Sequence, residues 1–392
     1  MGSAPVYLDH AATTPVRPEV RDAMLPFLGE ETFGNPSSAH RWGRAARAAL
    51  EGARRDIADA LGLAQTTVCF TSGGTEADNL AVLGIATAAR HAGRPASAAV
   101  ATTEHKAILA AAHEVGHQGG TEIFLPVGSD GLLDLAALDL ALARHPSVMS
   151  VMWVNNETGV IQPVEAIAAR CRAAGTLFHT DAVQALGKVP LRLDRLPGAL
   201  ATISGHKVGA PKGIGALLVP DRDRLAPIIH GGGQQRGLRP GTENVAGAVG
   251  LARAVTLATA EADAEAARLA ALRDDLEGRL RTALPGLVVH GAAAPRAPHI
   301  LSVAIPGTDS EAMLMHLDLA GVAASSGSAC TTGAVEPSHV LTAMGVPREL
   351  AIGTIRLSLG WRSGAADVER AAFAVPEAAA KVRRLSGVLG RG

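Results

Sequence analysis

Lys207 stands just beyond the run "LATIS", at the end of a predicted strand and beside Ser204, Gly205 and His206. An amine in that place can condense with an aldehyde; the plainer reading is a solvated surface lysine. Asp181 ends a second such run, "TLFHTD", with Gln184 three residues on. A carboxylate there can keep a pyridine nitrogen protonated, the state in which the ring accepts electrons, or it can cap a helix. The Ser-Gly-Gly turn in "TVCFTSGGTEADN" frees backbone N–H groups around Gly74 and Thr75 for a phosphate, although many turns of this shape serve packing alone. Asn156 of "VNNETG" and His105 of "TEHK" stand at two further strand ends. Each signal is ambiguous alone. A phosphate cup, an imine-forming lysine, a carboxylate for a pyridinium and a histidine together suggest pyridoxal phosphate.

Cys330 raises a separate question. It lies in "SSGSACTTGAVEPSH" (325–339), among small residues that give a core little to pack against. The stretch looks built to move, and an incidental loop thiol is the bland reading of it. A free thiol ionises near pH ~8.5, so only a few per cent is thiolate near neutrality unless neighbours help. Cys69, within a predicted strand, and Cys171, within a predicted helix, read as small buried hydrophobes. Three widely separated cysteines without a Cys-x-x-Cys pair make neither a disulfide framework nor a metal site.

The elements that must position these groups alternate. "TVCFT", "SAAVATT", "TEIFLP", "SVMSVMWV", "TLFHTDA", "LATISGH" and "GIGALLVP" are seven strand candidates, and alanine-rich helical runs separate most of them. That pattern predicts an α/β fold with a mainly parallel, seven-stranded sheet covered on both faces, whose ligand sits beyond the carboxyl ends of the strands. One long helical stretch is expected from Glu243 to Leu284, stopped by Pro285 and Gly286 and bridging to a smaller α+β domain. That domain holds "HILSVAI", a helix over 310–319, the Cys330 loop (about 325–338), a helix near 338–344, "GTIRLSLG" and a last amphipathic helix. The expected division is 15–260 for the large cofactor-binding domain, and 1–14 with 261–392 for the small one.

The chain has 392 residues, 47% of them apolar, with Lys+Arg 36 against Asp+Glu 37. That is enough for two cores and provides no global field to recruit nucleic acid or an anionic membrane. No basic leader precedes an apolar run and no membrane span is legible, so a cytoplasmic location is expected.

The motifs "YLDHAATTP", "FGNPSS", "FTSGGTEADNLA", "TEHKA", "VNNETG", "HTDAVQ", "SGHK", "HGGGQQRG", "GTENV", "SSGSAC" and "IRLSLG" run in order through nearly the whole chain. In them the sequence resembles the cysteine desulfurases of the NifS/IscS-like, long-loop branch, within the class V, fold-type I pyridoxal-phosphate enzymes. The resemblance implies that Lys207 bonds the cofactor aldehyde, Asp181 meets the pyridine nitrogen, His105 stacks on the ring, and Asn156 and Gln184 address its hydroxyl. It implies a phosphate cup of Gly74, Thr75, Ser204 and His206, with Thr242 supplied by the second subunit of a homodimer. Asn35 and Arg356 would hold the substrate carboxylate, for which a planar guanidinium is well shaped. The implied reaction takes sulfur from L-cysteine, leaves L-alanine and puts a persulfide on Cys330, with His105 handling protons. An acceptor protein for iron-sulfur assembly or thiolation then receives the sulfur. Another class V enzyme, such as a selenocysteine lyase or aminotransferase, and a non-catalytic sulfur-handling adaptor are the competing readings.

Overall fold

The computed structural model describes residues 5–63, 67–327, 336–385 and 387. Its strands are β1 (Val6–Tyr7), β2 (Thr67–Thr71), β3 (Ser97–Ala101), β4 (Thr121–Leu125), β5 (Val148–Ser150), β6 (Leu177–Asp181), β7 (Leu200–Ser204), β8 (Gly215–Val219), β9 (Val288–Val289), β10 (Ile300–Ala304), β11 (Val322–Ala323) and β12 (Thr354–Ser358). Seven of them form one sheet in the order β2-β8-β7-β6-β5-β3-β4. Only β8 runs against its neighbours, so the carboxyl ends of β2, β3, β5, β6 and β7 share one edge. The seven expected strands and their mainly parallel pairing are those observed.

The helices are α1 (Pro18–Met24), α2 (Arg41–Ala60), α3 (Gly74–His91), α4 (Lys106–His117), α5 (Leu135–Leu142), α6 (Val164–Ala173), α7 (Val245–Ala260), α8 (Ala262–Ala283), α9 (Ser310–Leu319), α10 (His339–Ala343), α11 (Arg348–Ile352) and α12 (Ala365–Leu385). Side chains of a strand alternate between faces, and here both faces are dry. Val68, Phe70, Ala99, Ala101, Ala216 and Leu218 enter one core with residues of α2, α6 and α7. Cys69, Ala98, Val100, Leu217 and Val219 enter the other with α3 and α4. Burial of every second residue on each face explains why these strands read as continuous apolar runs.

A third core joins β1, β9, β10 and β12 to α8, α9 and α12 through Leu8, Leu276, Leu280, Met313, Leu357 and Val375. Its strands pair as β12-β10-β9, antiparallel, and as β1-β11, parallel. The expected single helix from Glu243 to Leu284 is instead two, bent by 71° between α7 and α8. The junction residue Glu261 accepts two hydrogen bonds from the Arg17 guanidinium, at 2.7 and 2.9 Å, a fork-to-fork pair located at the bend. Among the described residues no single helix is long and apolar enough to cross a membrane; only this bent pair taken together passes by length and composition, and much of α7 is buried in the core.

Candidate active site

A cavity of ≈ 330 Å³ lies at the shared carboxyl edge. Gly74 and Thr75 from the start of α3, His105 after β3, Asn156 after β5, Asp181 and Gln184 at and beyond β6, and Ser204, His206 and Lys207 from the end of β7 all line it. Arg356 reaches the same cavity from β12, so one site draws on the seven-stranded and the three-stranded sheets. Ten of the residues expected from sequence therefore converge. Asn35 and Thr242 do not: both are exposed and neither lines this space. Asn35 accepts a hydrogen bond from the Ser37 N–H at 2.9 Å, and the neighbouring Pro36, Ser37 and Glu243 border a separate cavity of ≈ 450 Å³. Cys330 falls in 328–335, outside the described residues.

Lys207 Nζ donates to the carbonyl oxygens of Ala11 and Ala12 at 2.6 and 2.8 Å. This gives the "DHAATT" segment a function that composition hid, because the groups used are backbone. Burial lowers the Lys207 pKa to about 8, Arg356 pushes the same way, and Asp181 and Asp9 oppose it. The amine is thus far closer to its neutral, nucleophilic form than an exposed lysine.

Asp181 is buried at the end of β6, and its Oδ1 accepts from the Val183 N–H at 2.8 Å. The helix-capping alternative fails, because only turns follow Asp181: one oxygen holds the first turn and the carboxylate still lines the cavity. Burial raises its pKa, against the pull of that hydrogen bond, His105 and Lys207. A cationic ring nitrogen would relieve that penalty. His105 caps α4, its Nδ1 accepting from the Ala107 N–H at 3.2 Å, which assigns the proton of the neutral ring to Nε2. Desolvation holds its pKa below the usual imidazole value, with Asp181 pulling upward.

The cup between α3 and β7 suits a phosphate. Ser204 Oγ is buried with no protein partner. A side chain at Gly74 would press on Val183 Cγ2 at 3.2 Å and Ser204 Cβ at 3.6 Å, and one at Gly215 would meet the Gly73 Cα at 2.7 Å. Glycine at these positions lets the α3 N-terminus, with its unpaired N–H groups, close onto the strand ends. Arg356 also has a spare donor: Nη1 and Nη2 bond Asn156 O at 2.7 Å and Asp9 Oδ1 at 2.9 Å, while the buried Nε has no partner. These residues fit a phosphorylated pyridine aldehyde together with a carboxylate.

Both described flanks of the Cys330 segment are tied to this rim. Ser325 pairs with the Arg356 backbone on one side. On the other, the Ser338 hydroxyl donates to Glu157 Oε2, and His339 Nε2 lies 3.0 Å from the Glu104 carbonyl. Cys69 and Cys171 are buried, and desolvation pushes each thiol up to about 12, so both are inert. Sequence reasoning missed Asp9, Ala11, Ala12, Asp78 and Met152, which line or brace the cavity.

The chain is similar to known proteins of one family. The model of the aminotransferase class-V family matches residues 6–371. A cysteine desulfurase of Cereibacter sphaeroides is 46% identical over 97% of each chain. The cysteine desulfurase IscS of Dictyoglomus turgidum is 43% identical over 91% of this chain and 89% of its own. Among solved structures, a NifS-like protein superposes with a TM-score of 0.87 at 33% identity, over 98% of this chain and 100% of that one.

Proposed function

The chain belongs to the class V aminotransferase family, and from that premise we propose that it is a cysteine desulfurase, taking sulfur from L-cysteine and delivering it to a protein acceptor. The observation that carries this reading is the convergence of Lys207, Asp181 and Arg356 on one cavity. Pyridoxal phosphate, the cofactor of such enzymes, supplies an electron sink for the pair released at the substrate Cα.

The chain's residues supply the rest. Lys207, poised near neutrality, bonds the cofactor and then serves as the base for the Cα proton. With the cofactor bound, Asp181 would hold the ring nitrogen protonated, His105 would stack on the ring, and Asn156 and Gln184 would address its hydroxyl. Gly74, Thr75, Ser204 and His206 would receive its phosphate. Arg356, whose Nε has no partner within the protein, is the cation at this cavity suited to the substrate carboxylate, while Asn35, exposed and outside the cavity, is not assigned to it. Thr242, exposed and outside its own cavity, is available to complete the site of a second copy, which supports a homodimer with shared sites.

Cys330 attacks the substrate sulfur: one C–S bond breaks, one S–S bond forms, and alanine leaves after protonation. We assign 15–260 to the cofactor-binding unit, and 1–14 with 261–392 to the unit that carries Cys330. The persulfide passes to an iron-sulfur scaffold or thiolation protein in the cytoplasm. Incubating the cofactor-loaded protein with L-cysteine and a thiol reductant tests the activity: alanine and sulfide in equal amounts, abolished by Lys207→Ala, are expected. An active Lys207→Ala protein, or transamination without sulfide release, overturns it.

A further inference from the structure

His299, just before β10, is completely buried, and its Nε2 lies 3.1 Å from Gln184 Oε1. Its other ring nitrogen, Nδ1, is buried without a partner. An unmet lone pair inside a protein is less costly than an unmet N–H, so the geometry favours a neutral ring with its proton on Nε2, donating to Gln184. The surroundings agree: burial and the charges of Lys188, Arg356 and Arg273 drive His299 far below the usual imidazole pKa.

That donor and the Ala11 carbonyl, which can only accept, together set which way the Gln184 amide faces. With Oε1 held by His299, Nε2 donates one N–H to the Ala11 carbonyl at 2.9 Å, the same oxygen that accepts from Lys207 Nζ at 2.6 Å. The second N–H of Gln184, which lines the cavity, is then a donor rather than an acceptor toward whatever occupies it. Reversing the amide would set its NH2 against the His299 N–H and its carbonyl against that of Ala11. We infer that His299 is a positioning residue that locks Gln184 as a hydrogen-bond donor to the ring oxygen of the bound cofactor. The inference rests on the assignment of Gln184 to that oxygen. A donor there favours the anionic oxygen, which loosens the proton on the adjoining Lys207 linkage.

The test is the pH titration of the visible absorbance of the cofactor-loaded enzyme. His299→Ala should raise the midpoint by about one pH unit, a roughly tenfold change in proton affinity and the scale of one hydrogen bond. His299→Gln, which can place an N–H near the lost Nε2, should restore it. Gln184→Ala should shift it similarly, and adding His299→Ala to that background should change nothing more. An unmoved midpoint in His299→Ala, a shift that His299→Gln fails to restore, or an equal shift on the Gln184→Ala background overturns the role of His299. An unmoved midpoint in Gln184→Ala overturns the assignment of Gln184 itself, and with it the inference.

Discussion

The Arg356 guanidinium and the Asp9 carboxylate are paired across the cavity wall, Nη2 to Oδ1 at 2.9 Å, in a site where both side chains are largely shielded from water. The pair fixes the plane of the guanidinium and leaves Nε unpartnered. Arg356→Lys keeps the charge but loses the fork. It should raise the KM for cysteine by about 10- to 100-fold, the scale of one charge-assisted hydrogen bond, with cofactor absorbance unchanged. Steady-state kinetics beside a cofactor titration checks this.

Lys207 sets the pH dependence of cofactor loading. Its pKa is lowered to about 8 by burial first and by Arg356 second, and only the neutral amine attacks an aldehyde. Below pH 8 the loading rate of stripped protein should fall about tenfold per unit, and above it the rate should level off. Stopped-flow absorbance across the range would show the bend; a profile still climbing toward the ordinary lysine pKa would contradict it.

Gly215→Ala probes the cup without touching any group assigned to chemistry. The new methyl would meet Gly73 Cα at 2.7 Å and its carbonyl carbon at 2.8 Å, backbone atoms that cannot swing aside. The expected cost is about 1–3 kcal/mol of stability, with faster loss of cofactor on dilution. Thermal melts with and without cofactor measure both.

Much of this fold is legible in the sequence because each strand of the large sheet is a short apolar run with its polar motif at the carboxyl end. What was not legible is non-local or carried by backbone. Nothing near Glu261 announces a bend, and the Arg17 that pairs with it there is 244 residues away. The Ala11 and Ala12 carbonyls hold Lys207, yet alanine offers no chemical signal. His299 looks like one of fourteen histidines until the fold places it behind Gln184. Cys330 is the reverse case, conspicuous in sequence and outside the described residues.

Ser338 anchors the chain after the Cys330 segment. Its hydroxyl donates to the buried Glu157 carboxylate and accepts from the Val340 N–H at 3.1 Å at the start of α10. Burial raises the Glu157 pKa, and the Ser338 hydrogen bond opposes that rise. Ser338→Ala removes both contacts, a cost of about 1–3 kcal/mol. Sulfur release should slow while the cofactor titration is unaltered, a division that a general folding defect would not give.

The central claim is that Cys330 carries the sulfur taken from the substrate. Mass spectrometry of peptides from the cofactor-loaded protein, after one turnover with L-cysteine and without reductant, tests it directly. One additional sulfur atom on the peptide bearing Cys330 is predicted, with Cys69 and Cys171 unmodified and alanine formed in equal amount. An unmodified Cys330 peptide beside a full yield of alanine, or a Cys330→Ala protein that releases sulfide at the wild-type rate, would contradict the account.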